Sequence, residues 1–280
     1  MIESLNNILE NKNNRKFLLD AYYYETKKPK PVVIFVHGFK GFKDWGSWKA
    51  LMQQIAKNNF IAISFNFSHN GTTIENPTEF SDLEAFGQNN FEKEMDDLGE
   101  VLNWIENDET IANEEINFEK INLLGHSRGG GIVICKAAEE ERINKVCTLA
   151  SVSNFFRGLT DEAIEEWKTT GKREILNTRI NLKMPLYFQL FENYKANENR
   201  LHVGTAAHKI ENKVLIVHGT EDKAVPLSSA HDLKNWIKNA EYLEIEGANH
   251  VFGAKHPWNA EELPQDLEKV FSELVPFFNG

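Results

Sequence analysis

Short, nearly continuous apolar runs alternate with helical stretches along most of this chain. Runs rich in Val, Ile, Leu and Phe that lack strict alternation are typical of strands covered by helices on both faces. The order of strands and helices therefore predicts an α/β fold with a mostly parallel, doubly wound sheet. The predicted strands are Val32–Val36, Ile61–Phe65, Ile121–Leu124, Val146–Leu149, Val214–Val217 and Tyr242–Ile245.

Amphipathic helical patterns separate these strands. In Phe91–Ile105, apolar side chains recur at spacings of three and four residues, which places them along one face of a helix. An earlier segment, Phe17–Tyr24, predicts an antiparallel edge strand or a hairpin. The predicted helices are Trp48–Asn58, Phe91–Ile105, Gly129–Glu140, Ser228–Lys238 and Pro264–Phe278.

One long segment, 151–212, interrupts the alternation. Its 62 residues lie between two predicted strands that need only one crossover helix. The stretches Glu162–Lys168, Arg173–Ile180 and Pro185–Tyr194 favour helix over strand, and the segment is rich in Phe, Tyr and Trp. We expect a helical lid over the carboxyl ends of the strands, within a single domain spanning 1–280. The alternative is an insertion whose aromatic side chains only attach it to the rest of the domain.

The charge balance restricts the class of partner. The formal net charge is −11, so the chain has no basic excess to bind nucleic acid or an anionic membrane surface. A neutral or cationic small molecule is the expected partner. No signal peptide or membrane span is recognised, and Cys135 and Cys147 lie in apolar stretches, so a cytoplasmic location is expected. The oligomeric state stays open, with a dimer as one option.

The strongest candidate for chemistry is the motif Gly-His-Ser-Arg-Gly at 125–129. It follows a predicted strand directly and precedes a predicted helix, which is the context that a nucleophile elbow requires. Glycines beside a strained turn let strand and helix approach closely while the Ser127 hydroxyl is exposed at the tip. We therefore predict Ser127 as a nucleophile rather than a helix-capping serine.

A serine hydroxyl needs a base, and imidazole titrates in the right range, near pH ~6.5. His250 lies in a loop directly after the last predicted strand and is the predicted base; His256 is its nearest rival. A carboxylate must orient the imidazole. Asp222, in the turn after Val214–Val217, is predicted for that role, and the adjacent Glu221 is not excluded.

Oxyanion stabilisation is predicted from two backbone N–H groups. Phe39 lies between glycines in the loop after Val32–Val36, and Arg128 directly follows the predicted nucleophile. The Arg128 side chain is expected to pair with a carboxylate. The chain order Ser127, Asp222, His250 is the order found in α/β-hydrolases.

On these residues the chain resembles the α/β-hydrolase superfamily from about Val32 to Phe278. His-Gly-Phe at 37–39, Gly-His-Ser-Arg-Gly-Gly at 125–130 and the Gly-Thr-Glu-Asp turn at 219–222 are similar to dienelactone-hydrolase-like and serine-aminopeptidase-like esterases, including cinnamoyl and feruloyl esterases. The resemblance implies a serine hydrolase without metal or cofactor. It implies Ser127, Asp222 and His250 as the triad, with Phe39 and Arg128 as oxyanion donors.

The sequence thus predicts hydrolysis of a small-molecule ester through an acyl-enzyme. A thioesterase or an aminopeptidase-like hydrolase of small peptides is the alternative within the same chemistry. A non-catalytic binding module on the same fold is the alternative from a different class.

Overall fold

The strands of the protein follow the predicted apolar runs closely. A computed structural model describes residues 2–280, and all six runs lie within its strands. The strands are β1 (Ile2–Glu10), β2 (Lys16–Tyr23), β3 (Lys30–Val36), β4 (Ile61–Phe65), β5 (Ile116–His126), β6 (Ile143–Leu149), β7 (Lys172–Asn177), β8 (Leu182–Tyr187), β9 (Lys213–Gly219) and β10 (Ala240–Ile245).

Eight of these strands form one twisted sheet in the order β1-β2-β4-β3-β5-β6-β9-β10. Every pair from β4 to β10 in this order is parallel, whereas β1–β2 and β2–β4 are antiparallel. The predicted mostly parallel sheet is therefore confirmed. In β4 every residue is buried, and the other central strands are buried nearly throughout, because helices cover both faces.

The amino-terminal strand was not predicted. Strand β1 pairs only with β2, so β1 forms the edge of the sheet and β2 lies inside it. The predicted hairpin is thus present, but Phe17–Tyr24 is not its edge strand. Ile2, Leu5 and Ile8 are exposed, and a strand with so little burial carries no strong hydrophobic period.

Helices pack on both faces of the sheet. The cluster on one face includes side chains of α1 and α10, and the larger cluster on the other includes those of α3, α4, α8 and α9. The five predicted helices are present, with ends shifted by up to three residues. The helices are α1 (Trp48–Lys57), α2 (Leu83–Gly87), α3 (Phe91–Asn107), α4 (Arg128–Ala137), α5 (Asp161–Thr170), α6 (Gln189–Ala196), α7 (Glu198–Leu201), α8 (Val203–Lys209), α9 (Leu227–Trp236) and α10 (Gln265–Asn279).

The insertion at 151–212 is not wholly helical. Between α5 and α6 it contains an antiparallel hairpin of β7 and β8, which pair with each other and not with the main sheet. The helical prediction was therefore wrong for Arg173–Ile180 and for the first part of Pro185–Tyr194. Arg173 pairs with Leu186 and Ile175 with Met184, and Asn181 takes a positive φ of 53° in the turn between the strands. Such a turn reverses the chain where a helix would continue.

Four segments that carry predicted site residues meet at one edge of the sheet. Phe39 follows β3, Ser127 follows β5, Asp222 follows β9, and His250 follows β10. Since these strands are parallel, their carboxyl ends share one edge, where open α/β sheets bind ligands. No helix within residues 2–280 combines the length and the apolarity needed to cross a bilayer.

Candidate active site

Ser127 occupies a sharp turn between β5 and α4. Its backbone has φ 57° and ψ −117°, a conformation that residues other than glycine rarely adopt. The Ser127 N–H donates to Leu149 O at 2.9 Å. A Cβ on Gly129 would lie 2.2 Å from Val36 O, and one on Gly125 would lie 2.4 Å from Gly129 O. Both glycines are therefore sterically required for this turn.

Asp222 and His250 form a tight pair across the loops that follow β9 and β10. His250 Nδ1 lies 2.7 Å from Asp222 Oδ2. Because a carboxylate can only accept, the imidazole carries its proton on Nδ1 and leaves Nε2 as a proton acceptor. Asp222 Oδ1 accepts from the N–H groups of Ala224 and Val225 at 2.8 and 2.9 Å, which holds the carboxylate in place.

A second histidine, His218, contacts the same carboxylate. Its Nε2 lies 3.0 Å from Val225 O and 3.4 Å from Asp222 Oδ2. Burial raises the pKa of Asp222, but hydrogen bonds from His218 and His250 outweigh that effect and hold this pKa well below its usual value. Asp222 is therefore ionised at neutral pH. Glu221, the alternative carboxylate, is exposed, and its N–H bonds to Ala248 O.

Ser127 and His250 line one cavity of about 540 Å³. Both residues also line a recess of about 30 Å³, close to the volume of one water molecule. Aromatic side chains supply much of the cavity wall. Phe39 comes from the loop after β3 and Phe91 from the start of α3. Phe155, Phe156 and Trp167 come from the insertion.

The two predicted oxyanion donors both line this cavity. Arg128 begins α4, so its N–H is one of the free donors at a helix start. Within residues 2–280, neither the Phe39 N–H nor the Arg128 N–H donates a hydrogen bond. The Phe39 loop lies close to Ser127: a Cβ on Gly38 would be 2.9 Å from Ser127 Cβ. Among the described residues, both N–H groups are thus without an acceptor, and both belong to residues that line the same cavity as Ser127.

The Arg128 side chain contacts a buried carboxylate, as the sequence predicts, but the partner was not foreseen. Arg128 Nη1 lies 3.2 Å from Glu94 Oε1 on α3, and Asn89 Nδ2 donates to the same oxygen at 2.7 Å. The guanidinium also lies 3.8 Å from the centre of the Phe39 ring. Glu94 therefore positions the arginine that supports the Phe39 loop. No sequence motif marks Glu94, because it belongs to a helix 34 residues away.

The other histidines near the site make structural contacts. His126 Nε2 lies 2.9 Å from the carbonyl oxygen of His250, and burial lowers the pKa of His126 to about 3, so it is neutral. His37 bonds to Gly38 O and Phe67 N. His256, the rival base, accepts from Gly46 N at 3.1 Å and packs on Phe42. None of these three contacts the Asp222 carboxylate.

Comparison with known proteins agrees with this architecture. The sequence model of the α/β hydrolase fold family matches residues 31–171. The chain is 23% identical to 2-hydroxymuconate semialdehyde hydrolase of Pseudomonas putida, over 69% of this chain and 75% of that protein. It is 22% identical to monoacylglycerol lipase ABHD6 of Rattus norvegicus, over 85% and 75% of the two chains.

A solved structure with the same fold is Est1E from Butyrivibrio proteoclasticus, determined with bound ferulic acid. It is 18% identical, covers 98% of each chain and has a TM-score of 0.69. At this identity the likeness concerns the fold alone. Because the family's sequence model covers half of its length, from β3 into the insertion, this chain belongs to the α/β hydrolase fold family.

Proposed function

We propose that this protein is a serine hydrolase that cleaves a carboxylic ester through an acyl-enzyme. The observation that carries the proposal is the 2.7 Å contact between His250 Nδ1 and Asp222 Oδ2, with His250 and Ser127 lining one cavity. The contact leaves His250 Nε2 free to accept a proton, and Ser127 lines the same cavity as this imidazole. That arrangement is the one required for a serine nucleophile with an oriented base.

In the proposed reaction, the Ser127 hydroxyl attacks the ester carbonyl while His250 Nε2 accepts its proton. The negative charge that develops on the carbonyl oxygen is stabilised by the N–H groups of Phe39 and Arg128. His250 then gives the proton to the leaving alcohol, and the acyl group stays on Ser127. In the second half of the reaction, water attacks the acyl-enzyme while His250 accepts a proton from it. His250 then returns the proton to the Ser127 oxygen, which releases the acid and restores the serine.

The cavity supports a substrate with an apolar acyl or aryl group. Five aromatic side chains line it, and three of them come from the insertion. In this proposal the segment 151–212 acts as the lid of the site. The relatives named above as a hydrolase and a lipase agree with hydrolysis as the reaction class.

The test is hydrolysis of 4-nitrophenyl hexanoate by the wild type and by Ser127→Ala. We expect the variant to lose at least about 10³-fold in kcat/KM, because no other group can form the acyl-enzyme. A fluorophosphonate probe should label the wild type and not Ser127→Ala. Ser272→Ala, at an exposed serine of α10, is the matched control and should label normally. Turnover that persists in Ser127→Ala would reject the nucleophile.

The alternatives from the sequence respond differently to the same reagents. A thioesterase or a small-peptide hydrolase would label at Ser127 but prefer a hexanoyl thioester or an aminoacyl 4-nitroanilide in kcat/KM. A binding module without catalysis would neither label nor turn over any of the three. The panel therefore separates the ester proposal from each rival.

A further inference from the structure

The 540 Å³ cavity that Ser127 and His250 line has a local charge opposite to that of the whole chain. The net charge is −11, yet five cationic side chains line the cavity, and among residues 2–280 no Asp or Glu does so. The five are Lys40, Arg128, Arg157, Arg173 and Arg179. Because a cavity wall excludes much of the solvent, positive charges gathered there raise the local concentration of anions.

Most of these cations have a partner that accounts for their position. Arg128 pairs with the buried Glu94. Arg157 donates to Ala224 O at 2.9 Å, and Arg173 lies 5.6 Å from the centre of the Trp167 ring. Lys40 donates to Leu176 O at 3.3 Å, a contact between the Phe39 loop and the hairpin.

Arg179 differs from the other four in its place. It lies in the turn between β7 and β8, and its guanidinium is 4.3 Å from the centre of the Trp45 ring. Within residues 2–280 it forms no ion pair with a carboxylate. It also lines the small recess that Ser127 and His250 line, where, in the described part of the chain, it is the one arginine or lysine. The insertion thus brings an unpaired positive charge directly to the candidate catalytic groups.

The positive charge of Arg179 contributes to lowered pKa values of two nearby groups. Burial lowers the pKa of Lys40, and the positive charges of Arg179 and Arg128 lower it further. Burial also lowers the pKa of His256, again with a contribution from Arg179. Cations that repel one another across a cavity are stabilised when an anion binds between them, since the bound anion replaces repulsion with charge-assisted hydrogen bonds.

We propose that the substrate carries a carboxylate that pairs with Arg179 beside Ser127. This inference rests on the proposed ester hydrolysis and specifies its substrate class. A planar guanidinium offers two parallel N–H donors, which match the two oxygens of a carboxylate. The contact of the Arg179 guanidinium with the Trp45 ring, 4.3 Å from its centre, holds the guanidinium in place before the substrate binds. The net charge predicts a neutral or cationic substrate, whereas the cationic cavity wall favours an anionic one.

Arg179 and Lys40 also line a second cavity of about 610 Å³, whose wall includes Trp45 and His256. The carboxylate can therefore lie on the acyl side or on the leaving-group side of the ester. Two substrate pairs cover the two sides. The acyl pair is 4-nitrophenyl hydrogen adipate against 4-nitrophenyl hexanoate, and the leaving-group pair is 4-carboxyphenyl hexanoate against 4-carbamoylphenyl hexanoate.

The measured quantity is the ratio of kcat/KM between the charged and the neutral ester of each pair. In at least one pair we expect the wild type to favour the charged ester, and Arg179→Gln to reduce that ratio about tenfold to a hundredfold. Arg179→Lys, which keeps the charge, should retain a preference. Lys183→Gln is the matched control, because Lys183 is a cation of the same hairpin that pairs with Glu174 and lies outside the cavity. It should leave the ratio unchanged.

A wild type that favours the neutral ester in both pairs would overturn the inference, as would an equal ratio in wild type and Arg179→Gln. Calorimetric titration with benzoate and benzamide provides a readout that needs no turnover. We expect benzoate to bind the wild type more tightly than benzamide and to lose that advantage in Arg179→Gln. Absence of turnover with all four esters, together with Arg179-dependent benzoate binding, would reject the proposed reaction while leaving the anion site in place.

Discussion

The guanidinium of Arg128 lies 3.8 Å from the centre of the Phe39 ring, so the side chains of the two candidate oxyanion donors are in direct contact. Phe39 in turn stacks on Phe86 at 5.5 Å. The loop that supplies one donor is therefore supported by the residue that supplies the other. The buried Glu94 pairs with Arg128 and so holds the arginine side chain in place against Phe39.

The first prediction concerns this ion pair. Arg128→Met keeps the backbone N–H but leaves Glu94 without its cation, so the free energy of unfolding should fall by about 3–5 kcal/mol. The double variant Glu94→Gln/Arg128→Met should recover much of that loss, because no uncompensated carboxylate remains. Urea denaturation of the wild type, both single variants and the double variant measures the coupling. Additive effects of the two substitutions would contradict a direct interaction.

The second prediction separates the two neighbouring carboxylates. Asp222→Asn removes the acceptor that orients His250, and kcat should fall by about 10⁴, as it does when the equivalent aspartate of serine proteases is replaced. Glu221→Gln should leave kcat within about twofold, because Glu221 is exposed and makes no contact with the imidazole. A larger loss in Glu221→Gln than in Asp222→Asn would reverse the assignment.

The third prediction tests the steric requirement at the nucleophile turn. Gly129→Ala places a Cβ 2.2 Å from Val36 O and 2.6 Å from His37 O, both of them backbone atoms that cannot move independently. We expect a loss of stability of at least about 3 kcal/mol, or no folded protein. Gly99→Ala is the control on α3, where the new methyl group would meet only the Nζ atom of Lys136, at 3.2 Å, at the far end of a long side chain. It should be neutral or stabilising by up to about 1 kcal/mol, as judged from thermal unfolding.

The fourth prediction concerns stability in mild acid. Burial lowers the pKa of His69 to about 4, with help from the charges of Lys93 and Arg15. Between about pH 4 and pH 6.5 the unfolded chain therefore binds a proton at His69 that the folded chain does not, so the free energy of unfolding falls as the pH falls. In His69→Gln the stability lost between pH 7 and pH 5 should be smaller by about 2 kcal/mol than in the wild type. Urea denaturation at the two pH values is the measurement, and equal losses would contradict the assignment.

The sequence predicted the central sheet well because its strands are buried on both faces. Val32–Val36 and Ile61–Phe65 have few polar residues, and their short length and content of Val, Ile and Phe favour strand over helix. The positions of Ser127, Asp222 and His250 at strand ends follow from the same pattern. Their catalytic roles stay predictions until the variants above are measured.

The sequence predicted the insertion poorly because its strands are only partly buried. In β7 most residues are exposed, so Lys172–Asn177 has neither a full apolar run nor a strong period of two. The hairpin depends on pairing between Arg173–Asn177 and Leu182–Leu186 and on the positive φ of Asn181. Glu94 and Arg179 were missed for a related reason. Each acquires its role only from contacts between elements distant along the chain.

The self-paired hairpin has a consequence for how specificity can change. Within residues 2–280, strands β7 and β8 share no backbone hydrogen bonds with the eight-stranded sheet. They attach to the rest of the domain through side chains such as Tyr187, whose hydroxyl donates to Glu84 on α2 at 2.6 Å. The hairpin can therefore be exchanged as a cassette, with Arg179 at its tip, while the sheet that carries Ser127 stays paired as before. Under the proposed function, the segment that sets substrate selectivity is therefore separate from the sheet whose strand ends carry Ser127, Asp222 and His250.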